Sequence, residues 1–269
     1  MGHVRLGRLP ATKKWKEIVQ FLASDGFSIA ALADRVMDAC DKSFSVASKD
    51  PAFQKALQLL CQIPLASKQD NLSAALSEIG INVPNNPSRT DIIVGFEKAV
   101  EKAQRDGSKN ITDLSELAKQ AGIAALNTIL VQPAPPPQLG FWEAPKEETH
   151  RQLQASATPE GFGDLAQMFI SSFACNNIRY YMDREMPKHL GADGMVKSIS
   201  DLTLFDQGVA RHCREASFIM RAFARDWDAK KVYSEKTSPN KKDISGFAHI
   251  IAEKMRKEFR IRNGKDARI

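Results

Sequence analysis

Along nearly the whole chain the apolar side chains recur three and four residues apart, the spacing that places them on one side of an α-helix. A first helix is predicted over 12–23, capped by Thr12, with Trp15, Ile18, Val19 and Leu22 on one stripe. Ser28 opens a second, over 28–44, which points Ile29, Leu32, Val36, Cys40 and Phe44 inward. Asp50 then caps a third, and Pro51 occupies its first turn, where a missing N–H costs nothing. Phe53, Ala56, Leu57, Leu60 and Cys61 line its inner face, and Pro64 is expected to end it. A short helix follows over 71–80 and stops at Gly80. Ser88 and Asp91 stand three apart, the spacing of a capping box, ahead of a helix that closes at Gly107. A sixth helix, over 112–131, completes an N-terminal multi-helix domain spanning 12–131. No alternating run is long enough for a strand, so the expected fold class is all-α.

Residues 132–147 interrupt this pattern. Five of the thirteen prolines fall within 133–145, which forces extended backbone and marks a connector between domains. The connector also carries Leu139, Phe141 and Trp142. Such side chains either pin the segment to a neighbouring helix or dock a partner that binds extended Pro-rich peptides. Beyond it, a bundle of about three long helices is expected over 148–262, at 158–186, 201–227 and 243–262. The last points Ile244, Phe247, Ile251, Met255 and Phe259 inward. Residues 1–11 and 263–269 are read as a basic arm and a basic tail.

Composition changes this picture in one respect. Hydrophobic content of 43% and charged content of 26% are those of a folded globular chain. The net charge of +6, however, is unevenly placed. Residues 1–16 hold five basic and no acidic side chains, and residues 254–269 hold seven basic against two acidic. Each end is therefore +5, which leaves −4 for everything between them. No stretch approaches the ~20 apolar residues of a membrane helix. The opening residues also lack the apolar run of a secretory signal. The expected location is the cytoplasm, with no membrane partner. The four cysteines are widely spaced, as in buried reduced thiols, and not in the paired spacing of zinc or redox motifs.

The stretch "RHCREASFIMRAFARDW" (211–227) sets His212 beside Cys213 and so invites a catalytic dyad. Adjacent helical residues point about 100° apart, which denies the two a common target atom. His212 and Glu215 have the spacing of a bundle metal site, but in reversed order and only once. A site drawing together His189, His212 and His249 is the remaining enzymatic constellation. The carboxylate pairs Asp226/Asp228 and Asp183/Glu185 read as helix surface or helix ends. No phosphate loop, nucleophile elbow, zinc-protease helix or dinucleotide fingerprint occurs, so neither a metal nor a cofactor is expected.

Electrostatics carries more information. If 202–227 is one helix, Arg211, Arg214, Arg221 and Arg225 share a sector of about 80° opposite its apolar face. The last helix adds Lys254, Arg256, Lys257 and Arg260. Arginine's planar fork suits phosphates and carboxylates, although such faces are often only solvated or paired with nearby acids such as Glu160, Asp164, Asp183 and Glu185. The reading that follows is a non-catalytic helical subunit of a larger assembly, contacting a polyanionic partner through these eight residues. Other protein subunits are the expected partners. The alternatives are a stand-alone nucleic-acid-binding protein, an accessory component of a bacterial antiviral or mobile-element system, and an enzyme with a site around His212.

Overall fold

The structure, a computed structural model, describes residues 29–39, 45–107, 113–133, 147–185, 199–235 and 238–262. Among them the fold is all-α, with no strand: ten α-helices and one π-helical turn. In chain order the helices are α1 (Ile29–Ala39), α2 (Pro51–Ala66), α3 (Leu72–Glu78), α4 (Arg89–Gly107) and α5 (Asp113–Val131). These are followed by α6 (Glu148–Ala155), α7 (Pro159–Glu185), α8 (Ile199–Ala216), α9 (Phe218–Asp228) and α10 (Lys241–Arg262). The π-helical turn, Ala229–Ser234, continues α9. The helix expected over 12–23 and the connector residues Leu139, Phe141 and Trp142 lie outside the described residues.

The caps form where side-chain chemistry places them. Asp50 Oδ1 accepts from the Ala52 and Phe53 amides at 2.8 and 3.1 Å, satisfying donors that open the helix without partners. Its second oxygen accepts from Ser115 Oγ at 2.7 Å, so the same carboxylate joins α2 to α5. At α4, Asp91 Oδ2 accepts from the Ser88 amide at 2.9 Å and the Ser88 hydroxyl at 2.6 Å. Pro64 does not end α2 as expected. The helix runs on to Ala66, and the chain leaves through Ser67, whose amide and hydroxyl both donate to the Pro64 carbonyl.

Helix α7 lies at the centre. It packs against α1, α2, α5, α8 and α9. Its buried side chains, among them Phe162, Leu165, Phe169, Phe173, Ile178 and Met182, take up most of its circumference, leaving a polar strip with Asp164 and Arg179 part-exposed. A helix buried over so much of its surface has to be enclosed by several others. One hydrophobic cluster results, taking in residues from both sides of the Pro-rich segment. Phe53 of α2 meets Phe169 and Phe173 of α7 edge-on, with centroids 4.9 and 5.0 Å apart.

The 201–227 stretch departs from expectation. It is not one helix: it is interrupted at Ser217, whose hydroxyl donates to the Arg214 carbonyl at 2.8 Å while its amide is shared between the Cys213 and Arg214 carbonyls at 3.0 and 3.2 Å. A serine hydroxyl competing for a nearby carbonyl is a recognised way to interrupt a helix. Beyond the break, α9 lies against α7 at a very close approach. A Cβ on Gly163 would meet the Arg221 carbonyl oxygen at 2.7 Å and Arg225 Cβ at 3.3 Å. Periodicity also did not predict α6, which precedes α7 and buries His150, Gln152 and Leu153.

Two glycines therefore predict opposite effects. Gly163→Ala forces two backbones apart and should cost about 1–3 kcal/mol. Gly246→Ala, in α10 with open space around the new methyl, should gain about 0.5–1 kcal/mol. Urea midpoints of the two variants check both signs.

Candidate functional site

All four arginines of the 211–225 stretch are exposed, as expected, but the break at Ser217 separates them. Arg211 and Arg214 lie on α8, Arg221 and Arg225 on α9. The single ridge drawn for one continuous helix is thereby corrected to two shorter faces. They also differ in pairing. Arg221 bonds Asp164 of α7, one of the acids anticipated for that role. Arg225 bonds its neighbour Asp226 through Nε at 2.9 Å and a terminal nitrogen at 2.7 Å. Among the described residues neither Arg211 nor Arg214 has an acidic partner. Both are near the C-terminal end of α8, where exposed carbonyls favour cations.

On α10, Arg256 pairs with Glu253, and Arg260 is exposed. Lys257 is exposed without an acidic partner among the described residues. Lys254 is half-buried, its ammonium 5.0 Å from the centre of the Phe223 ring. Arg262, which was not singled out, donates to Glu258 at 2.9 Å and reaches the Glu215 carbonyl at 3.4 Å. The second of these contacts brings the end of α10 beside the α8–α9 junction. The basic ends of the two segments thus adjoin.

Apolar side chains share this surface. Leu204 is 61% exposed, Phe218 55% and Ile219 48%. Leu204, Gln207, Arg211, Arg214 and Phe218 follow one another at three- and four-residue steps and are all exposed. Leu204, Gln207, Arg211 and Arg214 make a stripe of apolar, polar and basic groups along the outer face of α8, and Phe218 stands just past the break. The seven-residue spacing of Leu204, Arg211 and Phe218 is the sequence signal that could have shown it.

His212 faces inward. Its Nε2 donates to Asp34 Oδ1 of α1 at 2.7 Å, both side chains are buried, and its ring packs on Phe259 of α10. Cys213 addresses a different neighbour, Cys175 of α7. The adjacent pair therefore shares no target, as helical geometry requires. His249 is exposed, and His189 lies outside the described residues. No group of three or more His, Cys, Asp or Glu among the described residues is placed to hold a metal ion. Lys119, a group the sequence did not flag, is enclosed by Glu97, Glu101 and Glu116 at 2.9–3.2 Å. Burial alone would lower its pKa, but the three carboxylates raise it, which keeps the amine protonated and unfit as a nucleophile.

A polar cleft of about 630 Å³ opens elsewhere, lined by Asp70, Asn71, Asn85, Asn86, Glu147 and His150 among others. His150 is fixed from behind by its Nε2, which donates to the Ser67 carbonyl at 2.7 Å. None of the eight expected basic residues reaches this cleft.

Asp228 corrects another expectation. The sequence placed it on the surface, yet it is buried at the end of α9 and accepts from the Cys61 thiol at 3.5 Å. Burial pushes its carboxyl up to about 6, opposed by the Cys61 bond and the Lys68 cation. Comparison of the chain with protein-family models, with curated proteins and with solved structures finds no match.

Because the folded carboxyl binds its proton more tightly than the unfolded one, Asp228 loses stability for the fold as pH rises from about 4 to about 6. Asp228→Asn should be nearly neutral at about pH 4. At about pH 7.5 it should stabilise by about 2 kcal/mol, since its amide oxygen still accepts from Cys61. Thermal unfolding at both pH values reads the difference, and an equal effect at the two contradicts burial as its cause.

Proposed function

We propose that the chain is a non-catalytic helical binding protein that contacts an acidic macromolecular partner through the outer face of α8 and the adjoining end of α10. One observation carries the reading: Arg211 and Arg214 are exposed with no acidic partner among the described residues, on a stripe that also exposes Leu204, with Phe218 just past its end. Lys257 supports it from α10. Arg221, Arg225 and Arg256 are secondary, because contact with a partner first has to displace the acids they already hold. Surface pairs of that kind contribute only about 0–1 kcal/mol, so the displacement is inexpensive.

The mixture of groups favours an acidic protein over a nucleic acid. A phosphate backbone matches arginines but leaves Leu204, Phe218 and Ile219 facing water-bound oxygens. A protein surface that sets Asp or Glu around aliphatic side chains matches both. Base-stacking platforms need several exposed aromatic rings, and here Phe218 has few companions.

The test uses the full chain and two labelled probes, a poly-glutamate peptide and a single-stranded oligonucleotide, with fluorescence polarisation at about 0.05 and 0.2 M salt. The Arg211→Glu/Arg214→Glu variant should bind poly-glutamate at least about tenfold more weakly at low salt, with a smaller difference at high salt. Arg221→Glu/Arg225→Glu should change affinity about threefold or less. Absence of binding by the unaltered chain, or binding indifferent to the first pair of substitutions, overturns the reading. Oligonucleotide binding without poly-glutamate binding assigns the same surface to nucleic acid.

A further inference from the structure

The seam between α7 and α8 holds a chemistry that partner contact does not use. Cys175 on α7 and Cys213 on α8 are free, buried thiols that face one another closely enough to influence each other's acidity. An ion pair between the same two helices fixes their register: Arg179 Nε donates to Asp206 Oδ1 at 3.2 Å. Moving from that pair toward the start of α7 and the end of α8 leads to the two sulfurs, as antiparallel packing requires. The third described cysteine, Cys61, is occupied elsewhere, donating to Asp228.

The two thiols are unlike. Cys213 is fully enclosed, while Cys175 keeps a sliver of exposed surface, at 0% and 6%. The bond from Cys213 pulls the Cys175 thiol down despite its burial, and the Arg179 cation helps. The same contact, and then burial, push Cys213 well up. Cys175 is therefore the more acidic thiol of the pair, and Cys213 the one that holds its proton more tightly. The seam is also open at its rim, where the Arg179 and Asp206 side chains are 38% and 44% exposed.

We propose that Cys175 and Cys213 form a peroxide-sensitive dithiol that closes to a disulfide between α7 and α8. The Cys175 thiolate attacks one oxygen of hydrogen peroxide and the O–O bond breaks, giving the sulfenic acid and hydroxide, which takes up a proton to become water. Cys213 then attacks the sulfenic sulfur, the S–OH bond breaks, and the departing hydroxide leaves as water with the Cys213 proton. In total the two thiols lose two electrons, and one peroxide becomes two waters. The product ties α8, and with it Arg211 and Arg214, covalently to the central helix. This modification is independent of what those arginines bind.

The experiment treats the folded full chain with hydrogen peroxide, alkylates the remaining thiols and maps the peptides by mass spectrometry without reductant. The expected product is a Cys175–Cys213 linked peptide pair, reversed by dithiothreitol, with Cys61 still alkylated. In Cys213→Ser, Cys175 should accumulate as a sulfenic acid trapped by dimedone, and in Cys175→Ser, Cys213 should stay reduced. Circular dichroism before and after treatment confirms that the fold persists. Full alkylation of both thiols after peroxide overturns the proposal. So does overoxidation of Cys175 without pairing, or linkage of either thiol to Cys61 or Cys40.

Discussion

The enclosure of α7 is the constraint from which the rest follows. A 27-residue helix whose Phe, Leu, Ile and Met side chains take up most of its circumference is stable in water only when other helices cover those faces. Five of them do so, and each needs only one apolar stripe for the purpose. That explains why the outer helices read as amphipathic while the central one does not. It also explains why the Phe53 ring of α2, far away in the chain, ends up between Phe169 and Phe173.

The same constraint sorts the charges. With the inner faces taken by apolar packing, cations are displaced to outer faces, and what they do there depends on which acids lie opposite. Arg221 looks across at α7 and finds Asp164; Arg211 and Arg214 look away from it and find none. Two of the charges that remain inside are matched by opposite groups. Lys119 has three glutamates, and His212 has Asp34. An unmatched buried charge is far costlier than an unmatched exposed one. Among the described residues, Arg211 and Arg214 are thus charges for which the fold itself supplies no acid.

Much of this was legible in the sequence because it is local. Asp50 before Pro51 and Ser88 before Asp91 each signal a helix start through backbone donors only a few residues away. Three- and four-residue spacing identified the inner stripes of α2 and α10 for the same reason. What escaped was decided by tertiary packing. Nothing in the order Arg-Glu-Ala-Ser-Phe announces that Ser217 breaks a helix, because its neighbours all favour one and the bend follows from how α8 and α9 each settle on α7. Asp228 looked like a surface carboxylate beside Trp227, and Cys61, 167 residues earlier, is its partner. The Cys175–Cys213 contact has no trace in spacing either, since it depends on the register of two antiparallel helices.

Gly163 shows how little of the visible electrostatics sets the seat of α9 on α7. With no Cβ in the way, the carbonyl of Arg221 seats against the α7 backbone, and sliding or rolling α9 would drive atoms into one another. The position of α9 is thus gauged by steric contact at the residue next to Asp164. The ion pair between Asp164 and Arg221 is a passenger of that fit: high salt should dissolve the pair and leave the two helices where they are.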